Sequence, residues 1–373
     1  MKARGWGRVA LLLATLLPVS VPATAQTVQG SVTDSATGHP VIGGLVLLLG
    51  ARDSVKASSN TTERGTFLLP AVVPGSYRLR VLRIGATAWT SRSFDLAGGQ
   101  KLVGKFLVTS APVVIEAITV KSGSACKADP RADADVATLW EEARKALELA
   151  EATMKARALE YRSTVTTRRR DPDGVILTQE PLGRVDRGTW PIVSLPADSL
   201  AAAGFVQARD TVRGPAYYGP DARVFFSDPF LGTHCFRAVD PPAGRGDLIG
   251  VGFQPVRSRK LPDISGVLWL DRRTAELRRL EFNYTRLGKW VPPEKTGGEL
   301  DFIRLDNGAW IISLWRMTAP LPRLDPLPRG QLPEEEVEHL FGQHRVKLVE
   351  YVEQEGRVEE ARADDGALVW RAP

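Results

Sequence analysis

Cysteine and histidine are scarce, two and four among 373 residues. That scarcity excludes a four-cysteine zinc site, an iron–sulfur cluster and a disulfide-dense scaffold. His39, His234, His339 and His344 are followed three positions on by Ile42, Arg237, Gly342 and Lys347, so no His-x-x-Glu pair is present to hold a catalytic metal. A G-x-S-x-G elbow, a P-loop and a dinucleotide fingerprint are also missing. Long hydrophobic runs are lacking too: the apolar stretch Val9–Leu17 is far shorter than the roughly 20 residues needed to cross a bilayer. Nor does one sign of charge dominate. Lys2, Arg4 and Arg8 carry half of the net +6. The basic runs Arg168–Arg170, Arg272-Arg273 and Arg278-Arg279 are interrupted by Asp171, Asp173, Asp271, Glu276 and Glu281, which reads as solvated strand and turn surface and not as a nucleic-acid interface.

A leader, two β-rich modules and a linker are present. Residues 1–25 combine a basic start, the short apolar run and Ala23-Thr24-Ala25, the three parts of an export signal. Gln26 follows, where lipoprotein processing would need Cys. The expected location is the periplasm, the outer-membrane periphery or the extracellular space. With 34 glycines and 26 prolines the chain is rich in turns. The expected layout is a signal peptide at 1–25, a β-sandwich at 26–120, a linker at 121–132 and an α+β module at 133–373.

From Val28 to Val120 short β-type runs alternate with turn residues at spacings of about 8–12, the pattern of a sandwich of seven or eight strands. Tyr77-x-Leu79-x-Val81, with Arg78 and Arg80 between, puts one face in a core and the other in water. Gly30-x-Val32-x-Asp34, Gly38-x-Pro40, Gly43-Gly44, Gly65-x-Phe67 and Pro74-Gly75-x-Tyr77-x-Leu79-x-Val81 together resemble the carboxypeptidase regulatory-like domain, a transthyretin-like (prealbumin-like) sandwich. The resemblance covers about a quarter of the chain. It implies an accessory module and no peptidase activity. Where that family usually carries acidic residues before Gly65-x-Phe67, this chain has Thr62, Glu63 and Arg64. Asp34, Asp53 and Asp95 read as turn formers. An exposed Trp89 would offer a surface for stacking a sugar.

Lys121–Pro130 is small, polar and proline-terminated, as a linker should be. It holds Cys126; the other cysteine is Cys235. In an exported chain the two favour a disulfide, with a reactive Cys235 thiolate beside His234 as the alternative. Adjacent strand side chains point to opposite faces, which counts against that alternative. Asp133 and Asp135 then precede Val136, Leu139, Trp140, Ala143, Leu147, Ala150 and Met154, the spacing of a five-turn amphipathic helix.

A long β series follows, with an Asp171-Pro172-Asp173-Gly174 turn and an Asn307-Gly308 hairpin. One helix ahead of an antiparallel meander is buried only if the sheet curls around it, an order that resembles the half-barrel of outer-membrane lipoprotein carriers. The fold expected is mainly β: the sandwich plus a curved antiparallel sheet on one long helix. Tyr217, Tyr218, Phe225, Phe226 and Phe230 form either a loop closing the core or the mouth of an apolar pocket. Ser124-x-x-Lys127, Ser227-Asp228 and Lys295-Thr296-Gly297 mimic a penicillin-recognising enzyme, but the first lies in the linker, Pro229 replaces the required Asn, and Lys295 follows a Pro292-Pro293 turn. Catalytic, metal and cofactor residues are therefore expected to be none. The expected function is non-enzymatic binding or scaffolding at the cell envelope, with an envelope protein or an apolar or glycan ligand as partner. Carbohydrate binding and an unrecognised hydrolase are the alternatives.

Overall fold

In the computed structural model the described residues are 26–70, 73–118, 120, 126, 129–157, 159–188, 190–210, 214–328, 331 and 338–373. The predicted leader at 1–25 lies outside them, as do most of Lys121–Ala128 and the side chain of His339. Eight strands build the first module: β1 (Thr27–Asp34), β2 (Leu45–Leu49), β3 (Val55–Asn60), β4 (Thr66–Pro70), β5 (Gly75–Arg83), β6 (Ala86–Thr90), β7 (Phe94–Leu96) and β8 (Lys101–Val108). One sheet runs β4-β1-β8, the other β3-β2-β5-β6 with β7 on β5. Val28, Val32, Val46, Leu48, Tyr77, Leu79 and Val81 meet between them.

Helix α1 (Ala134–Ala156) follows, its first turn capped by the Asp133 carboxylate, which accepts from the Asp135 and Val136 amides. Beyond it come β9 (Leu159–Arg170), β10 (Ile176–Asp186), α2 (Ala197–Ala203), β11 (Val206–Asp210), β12 (Gly214–Tyr217), α3 (Ala222–Phe225), α4 (Asp228–Thr233), β13 (His234–Val239), β14 (Leu248–Pro255), β15 (Asp263–Asp271), β16 (Leu277–Thr285), β17 (Gly297–Arg304), β18 (Trp310–Pro326), α5 (Glu338–Phe341), β19 (His344–Ala363) and β20 (Leu368–Arg371). The large sheet is antiparallel throughout, in the order β10-β9-β19-β18-β17-β16-β15-β14-β13, with β20 also on β19. α1 packs against β13–β16 and β18 of this sheet, so the chain is mainly β with a long helix held by a sheet, as the element order predicts.

The sandwich keeps a core of its own, but the second module's core extends onto the sandwich's outer face. The five residues of β2 are all buried: Val46 and Leu48 face the sandwich interior, while Leu45, Leu47 and Leu49 face α1 and belong to the second module's core, along with Leu82, Ile115 and Ile118. A strand without polar alternation is a strand covered on both faces. α1 correspondingly has two buried stripes. Trp140 lies against Phe226 and Phe236 of the large-sheet side. On the sandwich side Glu142 and Lys145 are 1% exposed each. The Glu142 carboxylate accepts from the Gly85 amide at 2.8 Å, and Lys145 donates to the Ala86 carbonyl at 2.7 Å and to Glu142 at 2.6 Å. The modules also meet backbone to backbone: a Cβ on Gly43 would fall 2.3 Å from the Gly308 carbonyl oxygen, and both glycines have positive φ, 63° and 84°. The predicted boundary at 120/133 separates chain segments, and the apolar interior runs across it.

On the face of the large sheet turned away from α1, arginines and acids alternate across strands. Arg168 of β9 pairs with Glu353 of β19 at 2.7 Å, Arg316 of β18 with Glu355 at 2.6 Å and Glu299 at 3.0 Å, and Arg279 of β16 with Asp301 of β17 at 2.6 Å. Arg168 and Arg279 of the interrupted basic runs thus belong to one ion ladder over five strands, whereas Arg278 pairs with Asp271 and Glu276, and Arg272 donates to the Leu248 and Ile118 carbonyls. In Glu355 burial pushes the carboxyl up, but Arg316 and Arg168 outweigh it and hold it below the usual range. Arg169 does the same for Glu350.

Two outcomes follow for stability. Lys145→Met strands a buried carboxylate and two carbonyls, and is expected to lower the unfolding free energy by about 3–5 kcal/mol in a denaturant titration. Lys155→Met, which breaks an exposed helix pair with Glu151, should cost no more than about 0.5 kcal/mol. Carboxylates depressed in the folded state supply stability that is complete above the unfolded titration and drains as pH falls through the folded values. Below about pH 4.3 the thermal midpoint of the wild type should therefore fall more steeply than that of Arg316→Gln, which gives up one of the cations holding Glu355 down.

Candidate functional site

The structure turns the aromatic segment inward. Phe225 is fully buried, with its ring edge-on to Phe230 at 5.1 Å and to Phe253 at 5.3 Å; Phe226 meets the edge of Trp140 at 5.2 Å. Tyr217 stacks obliquely on Tyr284 at 5.3 Å, burial pushes the Tyr217 hydroxyl's pKa up, and the Tyr284 hydroxyl donates to the Tyr218 carbonyl at 2.9 Å. Ring against ring, these residues pack between α1 and the sheet, the arrangement of a loop that closes the core. Trp89 is half-buried against the sandwich core and pairs with Val81 across β5–β6, which corrects the picture of a freely exposed sugar platform.

A disulfide joins Cys126 to Cys235, Cα to Cα 5.3 Å, and ties the linker to the edge strand β13. Cys235 therefore has no thiolate to offer. His234 is fully buried on the other face of that strand: its Nε2 lies 3.1 Å from Asp263, its Nδ1 3.1 Å from both the Thr233 hydroxyl and the Phe230 carbonyl, and the Phe230 ring stacks on it at 3.9 Å. Arg259 completes the cluster, bonding Asp263 and donating to the Leu200 and Ala201 carbonyls at 2.9 and 2.7 Å. Hydroxyl, imidazole and carboxylate are in sequence, yet the ring is sealed under Phe230 and no substrate atom reaches it. The cluster locks α2, α4, β13 and β15 together.

Where the modules meet there is a cleft of about 1020 Å³. The sandwich supplies one wall from β3, β4 and the turn between them, a run of hydroxyl and amide side chains at Ser58, Ser59, Asn60, Thr61 and Thr62 with Thr66. The opposite wall comes from the last turn of α1 (Ala152, Thr153, Lys155, Ala156), the Asn307 turn and the β19–β20 turn with Asp364 and Asp365. The Asn60 amide donates to the Thr153 hydroxyl at 2.9 Å and so bridges the modules, while its own carbonyl is buried without a partner among the described residues. A second hollow of about 320 Å³ continues along α1 and shares Ser58, Ala152 and Lys155. Small alanines give this cleft an apolar floor and the hydroxyls give it a polar rim. Of these only Thr62, beside Glu63 and Arg64, stood out in the sequence, as a departure from the family pattern; the further signal is five consecutive hydroxyl or amide side chains at 58–62, in a stretch where one or two would make a turn.

No curated protein matches the chain. Among solved structures, similarity is found to a cohesin–X-dockerin complex mutant of Acetivibrio cellulolyticus (19% identity, 23% of this chain, TM-score 0.19) and to the dioxygenase domain of a carbohydrate-binding fusion from Streptomyces sp. SirexAA-E (16% identity, 26% of this chain and 86% of that one, TM-score 0.20). The match spans 58% of the length of the cohesin–X-dockerin chain. The major pilin subunit BcpA of Bacillus cereus aligns over 92% of this chain and 91% of its own at 8% identity and a TM-score of 0.20. At such scores these likenesses carry no functional argument. The family comparison is specific to the first module: residues 27–109 match the model of the carboxypeptidase regulatory-like domain, and this stretch of the chain is a domain of that family.

Proposed function

We propose that this is an exported, non-enzymatic binding and scaffolding protein of the cell envelope, and that its ligand sits in the cleft between the modules. The carrying observation is the cleft itself: it lies at a module boundary, where ligand sites concentrate, and its walls are pinned by the Asn60–Thr153 bridge and the Gly43–Gly308 contact, so it is formed before any ligand arrives. Preformed walls spare the ligand the cost of ordering them. The Cys126–Cys235 disulfide fits an oxidising compartment, in keeping with the leader at 1–25. The sealed His234 cluster favours binding over hydrolysis. A second reading, carbohydrate binding, is favoured by the hydroxyl wall at Ser58–Thr62 and the alanine floor, which suit the polar edge and the C–H face of a sugar; Trp89 has no part in it.

Ser58 is exposed and lines both hollows, so Ser58→Trp should obstruct the cleft without disturbing the core. In a glycan array and a pull-down from envelope extract, the mature chain is expected to capture a partner, and Ser58→Trp to lose at least about tenfold of that capture, as a well-filled site would. Equal capture by both proteins would remove the cleft from the proposal, and turnover in a broad hydrolase screen would remove its non-enzymatic part.

A further inference from the structure

A third cavity lies apart from the cleft and its neighbouring hollow, beneath the β9–β10 hairpin on the face of the sheet that α1 covers. Its volume is about 290 Å³, at the lower bound of small-molecule pockets (roughly 300–1,000 Å³) and too small for a two-chain lipid. One end is hydrocarbon and aromatic: Met154 from the last turn of α1, Ile312 and Trp315 from β18, and Val358 from β19. Trp315 can lie across β19 because its cross-strand partner is Gly356, where a Cβ would sit 2.1 Å from the indole nitrogen. The other end is polar. In the β9–β10 register Tyr161 lies opposite Asp186 and Ser163 opposite Arg184, and the alternation of side chains puts all four on the pocket's face.

This polar end has hydrogen-bond donors to spare. Arg184 is exposed and has no ion pair or hydrogen bond among the described residues; the Tyr161 hydroxyl and the Trp190 indole N–H are buried without a partner. Asp186, the acid beside them, accepts from the Gly188 amide at 3.3 Å. Buried donors left unpaired are costly, and a ligand oxygen is the usual remedy. An apolar end, a one-chain volume and a polar end with an unpaired guanidinium describe a single complementary molecule. We propose that this pocket binds a single-chain amphiphile with an anionic head, a medium-chain carboxylate, with the chain against Trp315 and Ile312 and the head group on Arg184.

Calorimetric titration of the mature chain with decanoate and with 1-decanol tests this. Decanoate is expected to bind saturably and at least about tenfold more tightly than the alcohol, since a charge-assisted bond is the stronger one. Arg184→Gln, at an exposed position, should bring decanoate down to the alcohol's affinity; Ile312→Trp, which fills the apolar end, should abolish both. The proposal is overturned by the absence of saturable decanoate binding, by equal affinities in the wild type, or by decanoate binding that survives Arg184→Gln unchanged. The Arg184 variant decides the matter even where Ile312→Trp fails to fold.

Discussion

A buried lysine sets the arrangement of the whole molecule. Lys145 has three protons to place, and the structure supplies three acceptors: the Glu142 carboxylate at 2.6 Å, the Ala86 carbonyl at 2.7 Å and the Arg83 carbonyl at 3.4 Å. Glu142 spends its other oxygen on the Gly85 amide. Helix and sandwich are therefore joined by charges that have nowhere else to go, because any sliding of α1 along β5–β6 would leave an ion in an apolar wall. Such a pair adds little net stability, since desolvation consumes most of the Coulombic gain, but it is strongly selective for one arrangement. The apolar contacts of Leu45, Leu47 and Leu49 on α1 supply the driving force, and the pair fixes where it acts.

Two places where backbone touches backbone depend on that fixed position. Gly43 meets Gly308, and Gly85 lies where a Cβ would come within 3.2 Å of the Thr274 carbonyl oxygen. Neither contact would tolerate a shift of an ångström. Held at these points and along α1, the modules leave between them the volume that becomes the cleft, so its shape is a property of the shared core and not of a hinge. The disulfide adds a covalent tie on the β13 side, where the chain passes from one module to the other.

The parts of this fold that were legible in the sequence are those governed by local pattern. Alternation in Tyr77–Val81, the helix spacing of Val136–Met154 and the Asn307-Gly308 turn each correspond to an element in place. What local pattern could not show was which surfaces meet. Gly43-Gly44 and Asn307-Gly308 each read as turn chemistry, yet Gly43 and Gly308 exist for one another. Glu142 and Lys145 read as ordinary polar positions on a helix, although they are as buried as any leucine. β18 and β19 reach 17 and 20 residues, well beyond the more apolar segments Trp310–Met317 and Val346–Val352 that they contain. Pro320 and Pro322 hid the first: they fall where β17 has ended opposite Thr318, so β18 is an edge there and the missing N–H groups cost the ladder nothing. Glu353 and Glu355 hid the second, since a strand whose outer face is an ion ladder shows no run of apolar residues.

The same lengths explain why the sheet has room for a pocket. A helix of 23 residues extends about 35 Å at 1.5 Å per residue. A strand of 20 residues extends about 65 Å at 3.3 Å per residue. One helix cannot cover such a surface, and where α1 stops, at Ala156, the left-handed Arg157 turns the chain back into β9. The uncovered sheet beyond must be closed by something else, and it is closed by side chains of unusual size: Trp190 from the loop after β10 and Trp315 from β18 line the gap with Met154. Large flat rings roof a space without filling it, whereas branched aliphatic side chains would pack it solid. The cavity at the end of α1 therefore follows from the mismatch between helix and strand length, and its polar rim from β10, which no further strand covers among the described residues.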